Sequence, residues 1–394
     1  MARRAYVFLL RPTSGQVQRA FACIEDHRIL YNAALEERRT AYRKAGVTIR
    51  YGQQSGQLKE IRRADLQGQG RWSFSSQQAT LRRLSKAFDG FFRRVKAGQA
   101  PGYPRFKGRG RFDSVQWPKD GDGCRWNCTP DSDHVRVYLQ GIGHVKVRAH
   151  RKVEGRVKTI TLKRAGKRLY VVLSCDDVPA LTLPQTGSKA GIDMGVVSFL
   201  TTSDGRHEPN PRFVQTMAGE LAAAQQALSR KTRGSHNRAK ARAKVAAIHT
   251  KIRRQRADFH HKSALTLVRA HDVIAHEKLR IDNMTRSASG TVTEPGTNVA
   301  QKSGLNKSIL DAGWAAFLRI LTAKAESAGR TTIAVDAAHT SQTCPECGHA
   351  AKQNRRTQAE FACQGCGYTD HADIVGAINV LRRGLASQPE PVKV

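Results

Sequence analysis

The sequence predicts a multidomain α+β protein: a leading strand, a basic helical region, a β-rich region and, past a linker, an α/β domain carrying two cysteine knuckles. Three observations lead there. At 394 residues the chain is too long for one ordinary core. Its texture changes from helical to short β-like runs near Gly102. From about residue 185, strands alternate with long helices.

Each element follows from its local pattern. "AYVFLL" in the first fifteen residues is apolar and interrupted by Arg11. It is too short for a signal-peptide core and reads as a strand. "CIEDHRILYNAALEERRTAYRKAG" reads as a helix that puts Ile24, Ile29, Leu30, Ala33, Ala34 and Tyr42 near one face and stops at Gly46. "SSQQATLRRLSKAFDGFFRRVKAG" repeats the pattern with Leu81, Leu84, Phe88, Phe91 and Phe92, leaving Gln77, Gln78, Arg82, Arg83, Lys86, Arg93 and Arg94 on a polar face. "RFDSVQW", "HVRVYLQ", "HVKVRA" and "VKTITLKRAGKRLYVVLSC" read as strands of a small barrel or sandwich, the last a hairpin turning at Ala165-Gly166. "VPALTLPQTGSKA" is a linker. Beyond it, "AGIDMGVVSFLTTSDG" is a hairpin, and "DVIAHEKLRI" and "RTTIAVDAA" are strands. Three helical segments begin near Val214, Asn237 and Lys307, the third ending at Gly329; "TRSASGTVTEPGTNVAQKSG" is a loop.

The charge points to a partner. Lys and Arg number 67 against 32 Asp and Glu, a net +35. Such an excess suits a polyanion, and nucleic acid fits better than a membrane surface, since no basic amphipathic helix with an aromatic face and no apolar run of spanning length is present. Between Arg230 and Lys262 there are twelve Lys or Arg and one acid, Asp258. Arg253, Arg254 and Arg256 lie in that run and are candidate phosphate contacts. "YPRFKGRGRF" interleaves aromatics with Arg105, Lys107, Arg109 and Arg111, which suits backbone contact and stacking. With so short an apolar start and no spanning run, the chain reads as intracellular, where its eight cysteines stay reduced.

Two motifs carry chemistry. Cys344 and Cys347 (CPEC), then Cys363 and Cys366 (CQGC) after fifteen residues, form two knuckles, each relaxed by a following glycine, Gly348 or Gly367. Four thiolates suit one structural zinc and leave His349 and His371 outside the ligand set. Cys124 and Cys128, spaced CxxxC with no second pair, read as unlinked thiols. The second motif is a set of carboxylates: Asp193 in "GIDMGVV", Glu277 ending "DVIAHE" and Asp373 before "IVGAINVLRR". A carboxylate in an apolar strand is costly unless paired or bound to a cation. Three at strand ends and a helix start fit a shared site for Mg²⁺ or Mn²⁺.

"GIDMGVVSFLTTSDG", "IAHEKLRIDNM", "SQTCPECGH" and "CQGCGYTDHADIVGAIN", in this order, resemble the TnpB (OrfB) family of transposon-encoded RNA-guided nucleases, relatives of type V CRISPR effectors. The likeness runs nearly end to end. It implies a β-barrel wedge domain (1–15 and 98–184) with an inserted helical recognition domain (16–97). A RuvC-like RNase H-fold nuclease domain (185–343 and 368–383) with an inserted zinc ribbon (344–367) follows, and residues 384–394 form a tail. It implies Asp193, Glu277 and Asp373 as catalytic acids holding two Mg²⁺. It also implies a guide RNA from the transposon end, a double-stranded DNA target, one protein per RNA, and a place in a prokaryotic cytoplasm, at the nucleoid. A short motif beside the target would be read by the helical and wedge domains; Gln77 and Gln78 are candidate base readers, with Arg82 and Arg83 as neighbouring contacts. The run around Asp373 departs from the family's Asp-x-Asp-x-Asn-Ala-Ala: His371 replaces the flanking acid and Val375 the asparagine. The competing reading is a nuclease-inactive or RNA-independent zinc-ribbon regulator. A DNA-transferring transposase lacks support, since no tyrosine nucleophile accompanies a His-hydrophobe-His pair.

Overall fold

The computed structural model describes residues 2–127 and 134–387, in two compact units, Met1–Pro179 and Ala180–Val394. Cys128 and residues 388–394 lie outside the described residues.

In the first unit, β1 (Ala2–Arg11) is followed by helices α1 (Ser14–Ala45), α2 (Tyr51–Ala64) and α3 (Phe74–Lys96). Six strands follow: β2 (Ser114–Trp117), β3 (Cys124–Trp126), β4 (Arg136–Leu139), β5 (Gly143–Arg148), β6 (Arg156–Ala165) and β7 (Arg168–Val178). All seven join one antiparallel sheet in the order β2-β6-β7-β1-β5-β4-β3. The three helices are thus an insertion between the central strand and the rest of its own sheet. Alternation sets the buried face: Tyr6, Phe8 and Leu10 of β1 and Leu169, Val171, Leu173 and Cys175 of β7 point into one core.

α1 starts at a Thr13–Gln16 capping box and ends at Gly46, whose φ of 65° only glycine adopts freely. Its buried stripe is Ala20, Cys23, Ile24, His27, Leu30, Tyr31, Ala34 and Leu35. Ile29, Ala33 and Tyr42, expected inside, are exposed, because the polar His27 takes a core position and rotates the stripe. In α3, Leu81 and Leu84 are buried, while Phe88 and Phe91 are half-buried and Phe92 is exposed. The turn of the β6–β7 hairpin is Gly166-Lys167, with Gly166 at φ 63°.

The second unit begins with β8 (Lys189–Asp193), β9 (Ser198–Thr202), β10 (His207–Pro209), α4 (Phe213–Thr216), α5 (Ala218–Ser229) and α6 (His236–Ala270). β11 (Val273–Glu277), α7 (Ile281–Met284), α8 (Val299–Ala312), α9 (Trp314–Ser327) and β12 (Thr331–Val335) come next. The ribbon strands β13 (Glu360–Ala362) and β14 (Thr369–His371) lead into α10 (Ala372–Ala386). Five strands form a sheet in the order β10-β9-β8-β11-β12; β8, β11 and β12 are parallel and the other pairs antiparallel. The helix expected from Lys307 to Gly329 is broken at Gly313, φ 70°, and the expected loop already turns helical at Val299. Residues 384–386, expected in a tail, belong to α10.

The sheet is covered on both faces. Ile192, Phe199 and Ile274 pack with Leu267, Phe317 and Leu321 from α6 and α9, and Ala275, Ile333 and Val335 pack with Val380 and Leu381 of α10. α10 lies unusually close. A Cβ on Gly191 would sit 2.0 Å from the Ala377 carbonyl oxygen, so only glycine fits there.

Candidate active site and zinc centre

Adjacent parallel strands bring the first two acids level. Ile192 of β8 pairs with His276 of β11, so Asp193 and Glu277 occupy neighbouring positions at the carboxyl ends of their strands, where open α/β sheets place ligands. Asp373 arrives from the first turn of α10. All three line one pocket of about 970 Å³, whose walls include Met194, Trp314 and Arg355. At Gly376 a Cβ would stand 3.3 Å from an Asp193 carboxylate oxygen, so α10 presses directly on the first acid.

Burial and like charge around Asp193 define the electrostatics. The Asp193 carboxyl is pushed up to about 7, first by its burial and then by the charges of Glu277 and Asp373; Arg355 and the Met194 backbone N–H oppose this. Burial also raises Glu277, against the hydrogen bond that Thr340 donates to it at 2.7 Å. Arg355 Nη2 lies 3.4 Å from Asp373 Oδ1. Three converging oxygen donors, two of whose charges bear on Asp193, are the donor set of a hard divalent cation, which would relieve that repulsion. Their oxygens do not close to the spacing of a compact ligand group. Among the described residues only the four cysteines do so.

Those four sulfurs lie within 4.8 Å of one another, with Cys344–Cys366 at 3.7 Å and Cys347–Cys363 at 3.5 Å. Four thiolates about 2.3 Å from a tetrahedral zinc stand about 3.8 Å apart. The residues therefore fit a zinc ion in both donor type and spacing. Gly348 and Gly367 take φ 74° and 78° after the second cysteine of each knuckle.

The departures around Asp373 now have physical readings. The His371 imidazole accepts from the Asp373 N–H at 3.2 Å and so caps α10, and His207 packs edge-on against it at 4.7 Å. Val375 is fully buried with Cys344, Phe361 and Cys363, in the small core beneath the ribbon.

The candidate nucleic-acid residues fall into two groups. Arg82 and Arg83 are exposed and stack over Tyr51 and Phe112; Gln78 is half-buried and donates to Ser55 Oγ. Arg105, Arg253 and Arg254 are exposed, and Arg109 is 89% exposed, 3.6 Å from Glu25. Three others are already occupied. Gln77 is fully buried, its amide donating to Gln69 and accepting from Arg62, which removes it from the base readers. Lys107 lies over the Tyr31 ring and its backbone is clamped by Asn32. Arg256 is paired with Asp311 at 2.7 Å. The buried thiols Cys23, Cys124 and Cys175 take no part in the site.

Sequence reasoning missed Arg355, Thr340 and Asn379. Arg355 had a faint signal, a basic pair within the ribbon; Thr340 and Asn379 had none, since their partners are distant in sequence.

Residues 170–288 match the OrfB_IS605 family, described as "Probable transposase", and residues 314–380 match "Cas12f1-like, TNB domain". The chain is 36% identical to "Putative RNA-guided DNA endonuclease InsQ" of Escherichia coli (strain K12), over 97% of this chain and 92% of that protein. It is 30% identical to "Putative RNA-guided DNA endonuclease" of Streptomyces pristinaespiralis, over 98% and 90%. A "CRISPR-associated endodeoxyribonuclease Cas12f1" of Sulfoacidibacillus thermotolerans is 47% identical over 14% of each chain. Among solved structures, "Structure of the mini-RNA-guided endonuclease CRISPR-Cas_phi3" superposes with a TM-score of 0.46 at 10% identity, covering 99% of this chain and 93% of that one. With near-complete coverage at 36% identity, the chain belongs to the TnpB (OrfB) family.

Proposed function

We propose that the protein is an RNA-guided DNA endonuclease that binds a transposon-derived guide RNA, recognises a short motif beside its target and hydrolyses DNA phosphodiesters. The observation that carries this reading is the convergence of Asp193, Glu277 and Asp373 on one pocket, at the carboxyl edge of a sheet ordered β10-β9-β8-β11-β12. That order supports a RuvC-like RNase H-fold domain, and the seven-stranded sheet with its helical insertion supports a wedge and recognition domain.

Two Mg²⁺ held by the three carboxylates would activate a water and stabilise the leaving 3′ oxygen. The chain's own groups do the rest. Asp193 and Glu277 hold fixed positions because their strands are clamped in the sheet. Asp373 is fixed by the capped first turn of α10. Arg355 sits where it can face a phosphate once Asp373 is otherwise engaged. Arg82, Arg83, Arg105, Arg109, Arg253 and Arg254 supply sequence-independent phosphate affinity, and Gln78 remains a base reader. The ribbon's single zinc is structural. The working unit is one chain per RNA, acting at the nucleoid.

The test is to co-purify the protein with RNA from its own locus, sequence that RNA, and challenge a plasmid library carrying a randomised flanking motif with Mg²⁺. Guide-dependent cuts beside one motif are expected. Asp193→Ala, Glu277→Ala and Asp373→Ala should stop cutting while sparing guided binding. Cutting at the wild-type rate by Asp373→Ala, or RNA-free protein inactive on every target, refutes the reading.

A further inference from the structure

Residues 336–345 run from the end of β12 to the first zinc knuckle, and α10 grips this strap by its carbonyls. Asn379 donates to Thr340 O at 2.8 Å and to Thr343 O at 2.7 Å, using both of its amide hydrogens. Arg383 donates to Asp336 O at 3.0 Å and Ala338 O at 2.6 Å, and Arg382 to Pro345 O. Asn379, Arg382 and Arg383 are spaced i, i+3, i+4 and so share one face of the helix. The strap turns through His339 at φ 61°, an uncommon conformation for a non-glycine residue. That turn presents the Thr340 hydroxyl to Glu277 Oε1 at 2.7 Å, nearer than the competing Ala337 carbonyl at 3.1 Å. Thr340, Glu277 and Asn379 are 3%, 8% and 6% exposed, so losing these bonds would leave largely buried polar atoms short of a partner.

We propose that Thr340 is the positioning residue of the second acid and that Asn379 positions Thr340. The terminal torsion of a glutamate is broad and about two-fold, so an unpinned Glu277 would sample orientations useless to a cation. The hydroxyl selects one of them, as outer partners of metal ligands do. The helix that begins with the third acid thus also presets the second. This inference rests on the metal-dependent nuclease reading above.

The experiment compares Thr340→Val, which keeps the shape and loses the hydroxyl, with Thr340→Ser, which keeps the hydroxyl. Mn²⁺ binding to the full-length protein is measured by electron paramagnetic resonance, and the Mg²⁺ dependence of cleavage by the RNA-loaded protein is measured alongside. Zinc content and thermal unfolding confirm that each variant is folded. Thr340→Val should weaken Mn²⁺ binding and raise the half-saturating Mg²⁺ by about 10- to 100-fold, the range for lost outer partners. Thr340→Ser should restore both. Asn379→Ala should weaken binding in the same direction and add little on top of Thr340→Val, because the two act in one chain. A folded Thr340→Val protein that binds Mn²⁺ like the wild type overturns the proposal, as does a Thr340→Ser protein as weak as Thr340→Val. Glu277→Gln separates the two levels. If it weakens Mn²⁺ binding and Thr340→Val does not, only this inference falls; if it leaves binding unchanged, the metal-site reading falls and the inference with it.

Discussion

Asp193→Asn should stabilise the Mg²⁺-free protein while abolishing cleavage. The folded carboxyl titrates at about 7 against 3.8 in the unfolded chain, chiefly because burial and two neighbouring acids disfavour its charge. The sign follows directly. Folding favours the protonated form, so the stabilising contribution is complete below pH 3.8 and is lost as pH rises from there through 7. At neutral pH and above, the charge costs about 4 kcal/mol, at about 1.4 kcal/mol per pH unit of that gap. Asparagine keeps the shape and can still accept from the Met194 N–H. It brings its own amide donors into a site of acceptors, so about half that figure, ~2 kcal/mol, is the expected gain. For a unit of roughly 200 residues this is about 4–8 °C in Tm.

The assay is thermal unfolding of both proteins between pH 4 and 8, in buffer free of Mg²⁺ but without a chelator strong enough to strip zinc. The gap should be widest at pH 7–8 and close near pH 4. Adding Mg²⁺ should raise the wild type and leave Asp193→Asn nearly unmoved, since a ligand stabilises only the form that binds it. An Asp193→Asn protein that melts at or below the wild type at pH 7.5 refutes the claim that burial and its two acidic neighbours strain the Asp193 carboxylate.

Three further outcomes are expected. Arg355→Ala should cut the cleavage rate at least about tenfold with zinc content unchanged, and Arg355→Lys should recover part of it; an unimpaired Arg355→Ala would leave the Asp373 contact without a role. Elemental analysis should find about one zinc per chain, by the four-thiolate count, and Cys363→Ala should lose both metal and cleavage; an active protein with almost no zinc would sink the ribbon assignment. Acid should destabilise the first unit through His27, which burial lowers from 6.5 to about 4. Unfolded chains take the proton and the folded core refuses it, so about 3 kcal/mol is lost as pH falls from 6.5 to 4. Hydrogen exchange of α1 amides should show that slope, and His27→Gln should flatten it; an unchanged slope would exclude His27 as its source.

What was legible in the sequence was what short-range pattern encodes. Two CxxC knuckles with trailing glycines declare a tetrahedral site by themselves. Asp193 and Glu277 stood out because a carboxylate in an apolar strand needs an explanation. The strand and helix order was readable from periodicity, yet faces slipped wherever a polar residue was buried. His27 turned the α1 stripe because its ring nitrogens are satisfied by Cys23 O and Ser76 Oγ. Gln77 looked like a surface reader because nothing local reveals that Gln69 and Arg62 enclose it. Gly313 split a helix that pattern alone carries through, since one interior glycine costs only about 1 kcal/mol. Thr340 and Asn379 were invisible because the bonds that matter, Thr340 to Glu277 and Asn379 to the strap, join segments far apart in sequence.

The position of the ribbon follows from those same long-range bonds. Thr340, hydrogen-bonded to Glu277, lies just before Cys344, and Asp373 lies just after Cys366 and β14. A zinc ion tying the two knuckles would therefore close the loop between the partner of the second acid and the third acid itself. Loop closure costs entropy whenever its ends must be held together, and a metal clip would remove that cost from the candidate active site. Val375 adds an apolar tie where the family carries asparagine, packing α10 against Cys344, Phe361 and Cys363. His371 supplies the N-cap with a nitrogen acceptor. Both departures leave the three carboxylates in place and tie the ribbon to the helix, so zinc loss should disorder Asp373 before it disturbs Asp193, whose strand is held independently by the sheet.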